Sequence, residues 1–292
     1  MYKLFMEIHN PTDSFVGKKL CVQGFAVYNH TAFILHHTGI CAAYDLQSRK
    51  SSPIGVFKLE SYNDDPYDER YVNHANDAMF GGMLDGEKFP LMYVTAGNSG
   101  DSDENGYIVY CAVEQIRLKD GIYSSETVQK IFYKDDGIEN TRFQSPGWGW
   151  PASLVDVKGG WYYMLSTRYR AKKEFSKPDN VLIITKFCLP DVNVEHVTLY
   201  PTDIVDQFEL PLNILFTQGG TVRDSKIWYM FGNGNKEYPN GLRVIDLQNK
   251  NIELCEDLSN TPFADEEVEC CAFFGEKLLI NTQGGKIYER TE

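Results

Sequence analysis

The chain has 292 residues, with 28 Lys+Arg against 41 Asp+Glu and a formal net charge of −13. That balance argues against a nucleic-acid backbone or an anionic membrane surface as partner, since both need a Lys/Arg face. With 42% hydrophobic residues the chain can bury a core, and no apolar run approaches the roughly 18 residues of a membrane span.

The first predicted element is the apolar run at residues 2–9 (YKLFMEIH), which stands alone. Five segments then share one pattern, led by Gln23, Asn76, Trp150, Gln218 and Glu269. In each, small residues follow the leader and a large apolar residue closes the strand. A second run follows each of them: TAFILHH, FPLMYVT, GWYYMLS, KIWYMFG and KLLINTQ. Third runs come next, as ICAAYDL, YIVYCAV, NVLIITKF, LRVIDL and KIYER. Four repeats continue into a more polar fourth strand, at residues 53–60, 127–134, 194–200 and 251–257. Val, Ile, Tyr, Phe and Trp dominate these runs, and turn residues such as Asn29-His30 and Gly275-Glu276 separate them. No helical pattern of any length is present.

The fifth repeat stops after its third run, and residues 2–9 are available to complete it. Four-stranded units recurring at roughly 45–70 residues, the last completed by the N-terminal strand, resemble the five-bladed β-propeller superfamily. The expectation is all-β: a single propeller domain over residues 1–292, with five blades of four antiparallel strands. The N-terminal strand closes the ring and removes an exposed sheet edge. The alternative count is six blades, with the sixth in the long stretch of residues 119–143.

In a propeller the innermost strand of each blade lines the central channel, so the residues leading those strands meet a ligand at one mouth. That layer is Gln23, Asn76, Trp150, Gln218 and Glu269. Two residues earlier, on the same strand face, stand Cys21, His74, Trp148, Phe216 and Glu267. Indole faces beside amides and carboxylates suit a polyhydroxylated ligand, whose C–H faces stack while its hydroxyls pair. The predicted ligand contacts are Gln23, Asn76, Trp148, Trp150, Gln218 and Arg168. Arg168 begins a basic run with Arg170, Lys172 and Lys173 that suits a carboxylate or sulfate. His74 titrates near neutral pH and is a candidate base. Asp77 is expected one residue off the channel face, bonding within its own blade turn.

The resemblance extends to sugar-active five-bladed propellers, glycoside hydrolases among them. It implies a carbohydrate or similar polar small molecule as the partner. In the arabinanase-like group three acids lead separate innermost strands. The matching leads here are Gln23, Asn76 and Trp150, so that triad is absent. The alternative is a glycoside hydrolase-like enzyme using Glu269 or Glu267 with Asp77 or His74 across the channel. The two glutamates stand roughly 6.6 Å apart along one strand, at the edge of the separation of about 6.5–9.5 Å used for inversion.

No cofactor or metal motif emerges. DSDENG at residues 101–106 opens like a calcium loop, but Val109 and Ala112 occupy its ninth and twelfth positions. Seven cysteines, at 21, 41, 111, 188, 255, 270 and 271, fall in apolar strand-like stretches without a CxxC pair. They are expected as buried reduced thiols, which leans towards a reducing, cytoplasmic compartment. Cys270 and Cys271 are expected to point to opposite faces. The N-terminal run lacks the basic and apolar regions of a signal peptide, and a leader removed upstream would leave the same start.

Overall fold

Short runs of β-branched and aromatic residues, cut by tight turns, fold into strands stacked as sheets around an axis. The computed structural model describes residues 1–10, 21–36, 39–61, 75–96, 108–134, 142–143, 152–168, 181–211 and 216–291; for residues 76, 96, 108–110 and 168 it describes the backbone alone.

The chain opens with β1 (Tyr2–Glu7). Blade one is β2 (Val22–Tyr28), β3 (Thr31–His36), β4 (Ile40–Asp45) and β5 (Gly55–Lys58). Blade two begins with β6 (Ala75–Phe80), β7 (Leu91–Ala96), β8 (Ile108–Lys119) and β9 (Ile122–Tyr133). The β8–β9 turn is Asp120-Gly121, both at positive φ, as a two-residue hairpin requires. Next come β10 (Ala152–Asp156), β11 (Trp161–Arg168), β12 (Val181–Cys188), β13 (His196–Leu199) and β14 (Asp206–Pro211). Blade four is β15 (Thr217–Arg223), β16 (Lys226–Phe231), β17 (Gly241–Asp246) and β18 (Asn251–Asp257). The last strands are β19 (Val268–Phe274), β20 (Lys277–Thr282) and β21 (Lys286–Arg290).

These strands form five sheets. Their innermost strands β2, β6, β10, β15 and β19 each touch the next and close a ring, so the chain is a five-bladed β-propeller. β1 pairs antiparallel with β21 and completes blade five, as the repeat pattern predicts. The N-terminal amine reaches the Thr291 carbonyl at 2.9 Å. Between the blades apolar faces bury one another: Phe33, Phe57, Phe89 and Tyr123 join blades one and two, and Met230 and Leu242 of blade four share a cluster with Tyr2, Phe263 and Tyr288 of blade five and the connection leading to it. Glu114, fully buried, accepts hydrogen bonds from the Ser61 amide (3.1 Å), Thr127 Oγ1 (3.0 Å) and the Ser125 hydroxyl. No helix among the described residues is long and apolar enough to cross a membrane.

Three expectations need correction. The strand expected at residues 194–200 does not end blade three. Its core, β13, crosses to blade two and pairs in parallel with β9 as a fifth strand, while β14 becomes the fourth strand of blade three. The open edge of β9 draws it there: the Lys130 and Lys134 amides donate to the Glu195 and Leu199 carbonyls at 2.7 and 2.9 Å. Buried Gln129 anchors the approach by donating to the Asp191 and Val194 carbonyls at 2.7 and 2.8 Å. Residues 119–133 belong to the long β8–β9 hairpin rather than to a further blade. Finally, Cys41, Cys111, Cys270 and Cys271 are buried, but Cys21, Cys188 and Cys255 are exposed, because they stand at strand ends or on the outermost strand β18.

Candidate functional site at the leading ends of the inner strands

In four blades the innermost strand carries one extra residue where it meets its neighbour. The register steps between Val22 and Phe25, Ala75 and Asp77, Thr217 and Gly220, and Val268 and Cys270. These bulges fall at the predicted leaders Gln23, Asn76, Gln218 and Glu269. A bulge breaks the two-residue alternation and re-aims the side chains around it. Gln23, Gln218 and Glu269 are consequently held inward, 6%, 5% and 1% exposed.

The shifted parity corrects the expectation for Asp77. It does not bond within its own turn alone. It is fully buried between blades, and its Oδ1 accepts from the Ala78 amide (2.8 Å), the Gly220 amide of blade four (3.2 Å) and the Cys270 thiol of blade five (3.0 Å). Burial pushes the Cys270 thiol up, which keeps it a donor. Gly219 is required beside them: a Cβ there would stand 2.7 Å from both Asp77 Oδ1 and Cys270 Sγ. Asp77 Oδ2 is buried without a partner, and burial pushes the carboxyl up to about 7. The axis is filled at this level.

On the leading side of this hub lies a polar network. Glu267, half-buried, accepts from Gln218 Nε2 at 3.0 Å and from Gln283 Nε2 at 2.9 Å. Gln218 Nε2 also donates to the Gly232 carbonyl at 2.9 Å. Burial raises the Glu267 carboxyl above the usual range, against the Gln218 hydrogen bond. Burial and then the Glu267 charge push Glu269 well above that range, and its Oε1 has no partner. Asn281 ties the Gln23 leader of blade one to the residue after the Glu269 leader of blade five. Its Oδ1 accepts from the Cys270 amide (2.8 Å), and its Nδ2 donates to the Gln23 carbonyl (2.9 Å).

Phe216 stands beside this network with φ at 58°, a left-handed conformation unfavourable for a bulky side chain. Its ring is 39% exposed and meets Tyr238 edge-on at 4.8 Å. Its carbonyl accepts from the Gly232 amide at 2.8 Å, so one residue links the aromatic to Gln218.

The structure therefore brings Gln218, Glu267 and Glu269 into one cluster, with Gln23 tied to it through Asn281. Gln283 and Asn281 were not foreseen; both sit in KLLINTQ, where polar residues ending a strand read as turn formers. His74, Trp148 and Trp150 lie outside the described residues, as do Arg170, Lys172, Lys173 and the DSDENG segment; Asn76 and Arg168 are described by backbone alone. Among the described residues no group of three or more His, Cys, Asp or Glu is placed to hold a metal ion.

A propeller whose leading ends gather amides, carboxyls and an exposed aromatic is a scaffold for binding or catalysis. The chain is similar in structure to glutaminyl cyclase of Myxococcus xanthus, at 11% identity over 99% of this chain and 94% of that one, with a TM-score of 0.49. It is similar also to hydrazine synthase of Kuenenia stuttgartiensis, at 9% identity over 96% and 74%, TM-score 0.42. A third is a Bacteroides thetaiotaomicron protein of unknown function, at 10% over 99% and 74%, TM-score 0.44. Likenesses this distant do not speak to function. No family model matches the chain, and no curated protein matches its sequence.

Proposed function

We propose that residues 1–292 act as one propeller domain that binds a carbohydrate or similar polyhydroxylated small molecule at the leading mouth. The observation that carries this reading is the exposed, strained Phe216 ring joined through Gly232 to the Gln218–Glu267–Gln283 network. A sugar offers a C–H face to such a ring and hydroxyls that both donate to Glu267 and accept from the amides. Gln23, Asn76, Trp148, Trp150 and Arg168 are the further contacts in this proposal.

The test is a thermal-shift and calorimetric screen of mono- and oligosaccharides and sugar acids. Phe216→Gly removes the ring and also relieves the left-handed strain, so the variant should melt no lower than the parent while losing the sugar response. Glu267→Gln should weaken binding about tenfold, as for one charge-assisted hydrogen bond. If no sugar shifts the parent, or the shift survives both variants, the reading fails.

A second reading, a glycoside hydrolase-like enzyme, is favoured by the two adjacent carboxyls. Glu269, held neutral by burial and by its neighbour, would donate a proton, and Glu267 or His74 would act opposite it. Asp77, sealed in the hub, would act through the field of that site. Turnover abolished in Glu269→Gln with binding retained would establish it; equal turnover in parent and variant would end it.

A further inference from the structure

The far end of the axis carries a cavity lined by none of the leading-mouth residues. Along two inner strands the order is leader, hub residue, then cavity lining: Glu269, Cys270, Phe273 in blade five, and Asn76, Asp77, Phe80 in blade two. The fully buried Asp77–Cys270 contact thus separates the two ends. Beyond it a cavity of about 280 Å³ opens between blades one, two, four and five, with the partly exposed Val27, Phe80, Val222 and Phe273 among its lining residues. Among the described residues Arg223 is the charged one lining it, and an adjoining groove that shares Met79, Phe80, Val222 and Arg223 is lined also by Asp156, Lys158 and Asp224.

The guanidinium lies over the Phe273 ring, 4.5 Å from its centroid. Its N–H groups donate to the Gly275 carbonyl at 2.7 Å and to Glu276 at 2.5 Å, and Asp224 lies 3.5 Å away. Both carboxylate side chains are about 90% exposed, at 90% for Glu276 and 88% for Asp224. Ion pairs so open to water are weak and exchange readily. An incoming carboxylate can replace Glu276 on the same fork without leaving a charge buried and unpaired.

We propose that this cavity binds a small amphipathic carboxylate, its ring or short chain against Val27, Phe80, Val222 and Phe273 and its carboxylate on Arg223. An amine of the same shape would meet the guanidinium charge, and a neutral alcohol would leave the fork unused. The size sits near the small end of ligand pockets, about 300 Å³.

Calorimetric titration of the full chain with octanoate, phenylpropionate, octylamine and octanol tests this. The two carboxylates should bind and the amine should not, with octanol weaker by about tenfold. Arg223→Met keeps the apolar stem and should weaken octanoate by a similar factor. Val222→Trp fills the cavity from its rim and should abolish binding, with circular dichroism confirming the fold. Octylamine or octanol binding as well as octanoate would overturn the assignment. So would octanoate affinity unchanged in Arg223→Met, or no octanoate binding by the parent.

Discussion

Asp77 sets a pH dependence on the stability of the whole ring. Unfolded, its carboxyl ionises near the ordinary 3.8; folded, burial holds the proton to about 7. The folded state therefore binds more protons across that window, and stability falls as pH rises through it. The contribution is fully present below 3.8 and lost by about 7, at about 1.4 kcal/mol for each pH unit between. Asp77→Asn keeps an acceptor for the Gly220 and Ala78 amides and has no charge to bury. Urea unfolding followed from pH about 4 to about 8 should give a flatter profile for the variant; parallel profiles would show that Asp77 does not titrate in this window. The sequence could not place this residue on the axis. Strict alternation puts Asp77 off the channel face, and the one extra residue at Asn76 reverses that parity.

At the scale of the element, the bulges organise the leading mouth, and Asn281 holds two of them. Asn281→Ala leaves the buried Cys270 amide without its acceptor and the Gln23 carbonyl without its donor. A loss of about 1–3 kcal/mol is expected from chemical denaturation, with a weakened sugar response because Glu269 and Gln23 lose their common support. Unchanged stability would mean the bulge is held by the strands alone. The inner strands were legible because their leaders, small residues and closing apolar residue recur in every repeat. The fate of β13 was not. A β-rich stretch declares itself a strand, but the neighbour it chooses depends on which edge in space is still open, here that of β9. In the same way the glutamates were visible as candidates, whereas Gln283, which completes the Glu267 network, arrives from another turn of the blade.

The ring as a whole depends on β1. Its pairing with β21 covers an edge that would otherwise face water, and Tyr2 packs edge-on against Phe263 at 5.2 Å. Removing residues 1–8 should uncover both the edge and that apolar contact. The shortened chain is expected to elute as aggregates and to lose its cooperative melt, and a synthetic peptide of residues 1–8 added in trans should recover part of it. A monomeric, normally melting truncated chain would show that the remaining contacts suffice.

The same pairing imposes an order in time. β1 is made before β2–β20 and finds its partner only when β21 has left the ribosome, so four blades must wait, partly stacked, with a seam open. Loop-closure entropy makes so distant a contact slow to form. Nascent chains are most exposed to misassociation during that wait. The vulnerable interval therefore ends when β21 emerges and β1, still unpaired, can close the seam.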